Sequence, residues 1–149
     1  MERLQKQMEF IVEVDKVKKI MRQTYLSDAS RKEDDAEHSW HLALMAVLLK
    51  EYSNEEVDLS KVIPMVLAHD LVEIDAGDTY AYDEKGATTK EYREKQAAER
   101  IYGLLPEDQG QWLKALWEEF EAYETPEAKF AHVLDNCQPL FLNDASNGK

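Results

Sequence analysis

Cysteine is almost missing from this chain: Cys137 is the one thiol in 149 residues. An internal disulfide framework is therefore excluded, and the chain fits a reducing compartment. Glycine and proline are also scarce, at five and four, which disfavours a loop-rich β-fold. No stretch approaches the roughly 20 apolar residues of a membrane span. The first ten residues, MERLQKQMEF, lack the apolar core of a secretory signal. The expectation is a cytoplasmic protein without a membrane anchor. Positive charge is in deficit, with 18 Lys and Arg against 31 Asp and Glu, a net charge of −13. Such a surface argues against nucleic acid or anionic membrane as a partner. It also repels phosphate, so any phosphate chemistry needs a local cation, which a bound metal supplies.

What is present is a helical pattern. Hydrophobic residues make up 44% of the chain, enough for a real core and too many for disorder. The length suits a single domain over 1–149. The last residues, NDASNGK, read as frayed, with a full-length form that continues past them. Leu4, Met8, Ile11, Val14, Val17, Ile20 and Met21 recur at spacings of three and four, which predicts one or two amphipathic helices over 3–25. The polar stretch SDASRKEDD reads as a loop. Asp34 or Asp35 then caps a helix from about Ala36 to Tyr52. A third helix is expected from Leu59 or Lys61 to Glu73, with Pro64 near its first turn. Residues 74–88 look irregular. Further helices follow from Thr88 or Thr89 to about Leu105, after Pro106, and after the strong start Thr125-Pro126-Glu127, the last limited or kinked by Pro139. No convincing strand is legible, and the fold class is all-α with about six helices.

The most informative segment is AHDLVEIDAGDT at 68–79. His69 and Asp70 interrupt an apolar run, where an acid is expensive unless it is paired or bound to metal. On a helix, Glu73 shares their face. Glu37-His38 opens the second helix, ahead of an apolar face of Trp40, Leu44, Val47 and Leu48. His41 stands three residues on and competes for the ligand role or packs. Asp135 sits among Val133, Leu134 and Cys137, and a mid-helix aspartate in that setting costs both propensity and desolvation. The bland alternative for His69-Asp70 is a buried ion pair without catalysis.

Taken in order, His38, the adjacent His69–Asp70 pair and the distant Asp135 resemble the ligand pattern of the HD-domain metal phosphohydrolases. The resemblance is closest to the small branch containing the bacterial 5′-deoxynucleotidases, through AEHSWHLALMA at 36–46, HDLVEIDAGDT at 69–79 and LDNCQP at 134–139. It implies an HD-domain helical bundle and one divalent ion on His38, His69, Asp70 and Asp135. Two imidazoles and two carboxylates suit Co, Mn, Zn, Ni or Fe, with Mg also in the set, and do not choose among them. It further implies Glu73 as general acid/base and Asp78 as an acid that positions the nucleophile or meets the sugar; a plain turn residue in Gly77-Asp78-Thr79 is the bland role for Asp78. A phosphate needs fixed cationic partners. The branch uses an Arg often followed by Trp on its first helix; here Arg22 is followed by Gln23. Arg22, Arg31 and Thr79 are the candidate substrate contacts.

The expected activity is release of phosphate from a nucleoside 5′-monophosphate, with a deoxyribonucleotide favoured and a homodimer suggested by the resemblance. Hydrolysis of another small phosphomonoester is the alternative within the same chemistry. A non-catalytic, metal-stabilised helical interaction module is the alternative outside it. The stripe Trp112, Leu113, Leu116, Trp117 and Phe120 reads as core or dimer contact. His132 reads as a packed or surface histidine, and Cys137 as a small buried hydrophobe.

Overall fold

The structure is a computed structural model that describes residues 2–77 and 84–147, with side chains in the second stretch from residue 89 on. Six helices of ten residues or more form the body: α1 (Arg3–Val14), α2 (Asp35–Leu49), α3 (Leu59–Ala68), α5 (Glu84–Tyr102), α6 (Glu107–Ala122) and α7 (Pro126–Ala145). A four-residue helix, α4 (Glu73–Ala76), lies between α3 and α5. None of the described helices is long and apolar enough to cross a membrane.

The expected caps do much of the placing. Asp34 accepts from Glu37 N while the Glu37 side chain accepts from Asp34 N, so both orphan donors at the start of α2 are satisfied. Asp58 accepts from Ser60 N at α3, and Thr125 accepts from Ala128 N at α7 with Pro126 at the first helical position. Pro64 sits in the second turn of α3 rather than the first, and α7 runs through Pro139 to Ala145 instead of ending there.

Four expectations are corrected. Residues 74–88 are not irregular throughout: α4 reaches Ala76, and α5 begins at Glu84 rather than at Thr88 or Thr89. Residues 3–25 are not all helix: α1 ends at Val14, a 3₁₀ turn covers Asp15–Lys19, and β1 (Met21–Tyr25) follows. β1 pairs antiparallel with β2 (Lys32–Asp34), Met21 opposite Asp34 and Tyr25 opposite Lys32, with a register irregularity between. The chain therefore has a small hairpin where only loop was read. The third helix stops at Ala68, so Glu73 is not on one continuous helix with His69 and Asp70. Leu71 N bonds Ala68 O and Glu73 N bonds Asp70 O, tight i to i+3 turns that break the α-helical ladder.

The core has two parts. One gathers Leu42, Met45, Val62, Met65, Val66, Leu116, Phe120, Phe130 and Leu134 from α2, α3, α6 and α7. The other gathers Leu71, Val72, Ala97, Ala98, Ile101, Tyr102 and Trp117. The buried Tyr102 hydroxyl donates to Ala68 O and pins the end of α3. At Gly110 a Cβ would come 2.3 Å from Tyr102 O, so glycine is what lets α6 start against the end of α5. Within the stripe of α6, Leu116, Trp117 and Phe120 are buried core, Leu113 packs against them half-buried, and Trp112 is exposed.

Candidate functional site

Three elements bring the site together. α2 carries His38 in its first turn, the turn after α3 carries His69, and α7 carries Asp135. Ligand atoms of His38, His69 and Asp135 all lie within 4.8 Å of one another. His38 Nε2 is 2.7 Å from Asp135 Oδ1, and His69 Nε2 is 3.6 Å from the same oxygen. Asp70 adjoins this trio: its Oδ2 is 3.3 Å from His69 Nε2 and 3.7 Å from Arg22 Nη1.

The far side of each imidazole decides what the near side offers. His69 Nδ1 is 2.6 Å from the carbonyl of Val66, which only accepts, so Nδ1 holds the proton. His69 Nε2 is buried and has no hydrogen-bond partner among the described residues. His38 Nδ1 is 2.9 Å from Gln138 Oε1, and the nitrogen of that amide donates to Glu33 Oε2 at 2.7 Å. The amide orientation is thus set by Glu33, and His38 Nδ1 is the donor. Both Nε2 atoms turn toward Asp135. An imidazole whose other nitrogen is held by a carbonyl or amide oxygen is the usual arrangement of a metal-ligating histidine. The donor set fits a divalent cation.

Without a cation, protons occupy its place. Burial disfavours a charged His69, yet Asp70, Asp135 and the Val66 carbonyl raise its pKa to about 9. Burial likewise opposes charging of His38, but hydrogen bonds to Asp135 and Glu33 raise it above its ordinary value. Burial alone would raise Asp135; the two imidazoles instead hold its carboxyl far below the usual range.

The hairpin supplies the positive charge. Arg22 on β1 lies 3.4 Å from Glu33 on β2, 3.7 Å from Asp35 and 3.7 Å from Asp70. Its buried Nε makes no hydrogen bond among the described residues. Three carboxylates hold the guanidinium at the rim of the trio without consuming that donor. Arg31, in contrast, is exposed, and its two terminal nitrogens grip Glu37, which pulls the Glu37 carboxyl down to about 2. Glu73 is half-buried at the start of α4. Asp78 and Thr79 lie outside the described residues.

Glu33 and Gln138 escaped the sequence reading, although both are almost fully buried. A lone Gln between Cys137 and Pro139 carries no pattern of its own, and Glu33 lies in a stretch that reads as loop. His132 Nε2 is 2.7 Å from the Phe120 carbonyl and its ring packs against Phe120 and Tyr123, so it braces α6 on α7. A cavity of about 670 Å³ opens between α5 and α6, lined by Lys90, Glu94, Trp117 and Glu121 among others. At its wall the Glu121 carboxyl is pushed above its ordinary value, by desolvation first and with the Asp70 charge adding to the rise while the His69 charge opposes it.

A helical domain that converges two imidazoles and a carboxylate from separate elements on one point, with the adjacent His-Asp pair at its centre, is an HD domain. The chain belongs to the HD domain family, whose model matches residues 14–149. It is similar to a solved structure of a predicted metal-dependent phosphohydrolase from Magnetospirillum magnetotacticum, with 55% identity and a TM-score of 0.89 over 98% of this chain and 73% of that one. It is also similar to the human 5′-deoxynucleotidase HDDC2, 31% identical over 134 residues, which cover 89% of this chain and 64% of that protein. The chain thus spans about two thirds of the length of that relative, just short of it. An HD-domain phosphohydrolase from Listeria innocua shares the fold at 17% identity, with a TM-score of 0.69 over 91% of this chain and 67% of that one.

Proposed function

We propose that this protein is a divalent-metal-dependent phosphohydrolase that cleaves nucleoside 5′-monophosphates, 5′-deoxyribonucleotides in particular, to nucleoside and phosphate. The observation that carries this reading is the convergence of His38, His69 and Asp135 beside the guanidinium of Arg22. The names borne by the Magnetospirillum and human relatives support the reaction class and the substrate class respectively.

In this reading His38, His69, Asp70 and Asp135 hold one divalent ion: Co²⁺, Mn²⁺, Zn²⁺, Ni²⁺, Fe²⁺ or Mg²⁺. Such an ion, when bound, acidifies a water and neutralises charge on the phosphoryl oxygens. Arg22 takes the phosphate oxygens that remain, through the donors its long ion pairs leave available. Arg31 serves the same anion only if its grip on Glu37 opens; Thr79 is the third contact. Glu73 is the acid/base: its carboxylate accepts a proton from the attacking water as the water oxygen bonds to phosphorus. The P–O5′ bond breaks, and the proton passes to the departing O5′. Asp78 orients the water or the sugar.

The active form is a cytoplasmic homodimer. α2 and α7 pack together and both turn apolar side chains outward: Trp40, Leu44, Val47 and Leu48 on α2, and Val133, Leu140 and Phe141 on α7. A patch of this kind on two neighbouring helices is the usual mark of an association surface.

The test is phosphate release from a panel of nucleoside 5′-monophosphates with Co²⁺ or Mn²⁺ added. Release from 5′-deoxyribonucleotides is expected. Silence across all substrates and metals would leave a metal-stabilised module and remove the hydrolase.

A further inference from the structure

We propose that Gln138 is a positioning residue for the metal centre: its amide locks the orientation of His38 and ties it to the Arg22 side of the site through Glu33. This deepens the reading above and rests on the metal centre that reading invokes.

Gln138 is fully buried on α7, three residues after Asp135 and so nearly one turn along. A buried primary amide needs its donors and acceptor met. Here its amide is met by polar partners. Oε1 accepts from His38 Nδ1 at 2.9 Å; Nε2 donates to Glu33 Oε2 at 2.7 Å and lies 3.0 Å from His41 Nδ1. Only one amide orientation satisfies this set, since a carboxylate cannot donate. The acceptor therefore always meets His38, and Glu33, acting through the Gln138 amide, enforces the tautomer that frees His38 Nε2. Glu33 completes the chain: its other oxygen lies 3.4 Å from Arg22 Nε. The same α7 thus supplies a ligand in Asp135 and the partner that aims the ligand opposite it.

A methionine at 138 matches the volume and removes the acceptor. A glutamate keeps the acceptor but faces Glu33 as a like charge. Exchanging both groups, in the double variant Glu33→Gln plus Gln138→Glu, restores the donor–acceptor chain at unchanged net charge. Co²⁺ affinity of the chelator-treated full chain, read by isothermal titration calorimetry, separates these cases. Loss of such an outer partner costs a metal site about 10- to 100-fold in affinity. Gln138→Met is expected to fall by that factor, and the double variant to return to within about threefold of the starting protein. A packing role predicts the opposite order, because the methionine fills the space and the exchange buries a shifted charge. Unchanged affinity in Gln138→Met, or equal loss in both variants, overturns the proposal. Should Gln138→Met fail to fold, the double variant decides alone: near-native affinity supports the role, and a folded double variant with weakened binding rejects it. The readout needs no turnover, so a protein that binds Co²⁺ through this network yet hydrolyses nothing would sink the hydrolase and leave Gln138 in place.

Discussion

Both faces of α2 depart from those of an ordinary surface helix, the buried one in its first turns and the exposed one further along. Its buried side starts with Asp35, His38 and Ser39 before giving way to Leu42, Met45 and Ala46, whereas its exposed side carries Trp40, Leu44, Val47 and Leu48. A helix serving stability alone would bury apolar groups along its whole length and keep its polar groups outside. Burying His38 is tolerable only because Gln138 and Asp135 meet both of its nitrogens. Trp40 and Leu48 are exposed on the opposite side, the face the proposed dimer would cover. In the proposed reading the inward polarity serves the metal centre and the outward apolarity serves association.

Substitutions can break this contrast from either side. Asp135→Ala should have the largest effect, eliminating Co²⁺ binding in calorimetry and phosphate release in the nucleotide assay, since it removes the oxygen both imidazoles address. Leu42→Ala, in the apolar part of the buried face, should cost about 2–5 kcal/mol in urea denaturation. Leu48→Ser on the opposite face should change the stability of one subunit by less than about 0.5 kcal/mol, while shifting sedimentation toward the monomer. An unaltered sedimentation profile would move the interface elsewhere.

The pH dependence of the metal-free protein sharpens the same point. His69 has a folded pKa of about 9, above its unfolded value of 6.5. Its stabilising contribution is fully present below about pH 6.5 and is lost as pH rises through about 9. The melting temperature of chelated protein should therefore fall across that window, and bound metal, which takes the proton's place, should flatten the fall. A modest effect is expected at the helix start: Asp34→Ala removes one half of the capping box and should cost about 1 kcal/mol by thermal melting.

Much of this was legible in the sequence, and the exceptions share a cause. Helix α7 is legible because Thr125-Pro126 announces it chemically, and α2 because an Asp at 34 or 35 can cap it; the Glu37 half of the cap shows only in the structure. His69-Asp70 stood out because two polar residues inside Val66–Val72 demand a reason. The hairpin was missed because β1 and β2 span five and three residues, too short for an alternating pattern, and its tip is closed by Asp28 accepting from Ser30 N. With it went the placement of Arg22 and Glu33 as neighbours across two strands. The break after Ala68 was missed because the apolar spacing continues smoothly into Leu71 and Val72. Gln138 was invisible for a different reason: its importance lies in partners 97 to 105 residues away, which no local pattern encodes.

Anomalous diffraction from crystals grown with Co²⁺, collected at the cobalt edge, tests the central claim most directly. A single strong peak bounded by His38 Nε2, His69 Nε2 and the carboxylate of Asp135 is the predicted result. Clear density for these three side chains with no peak among them would contradict it.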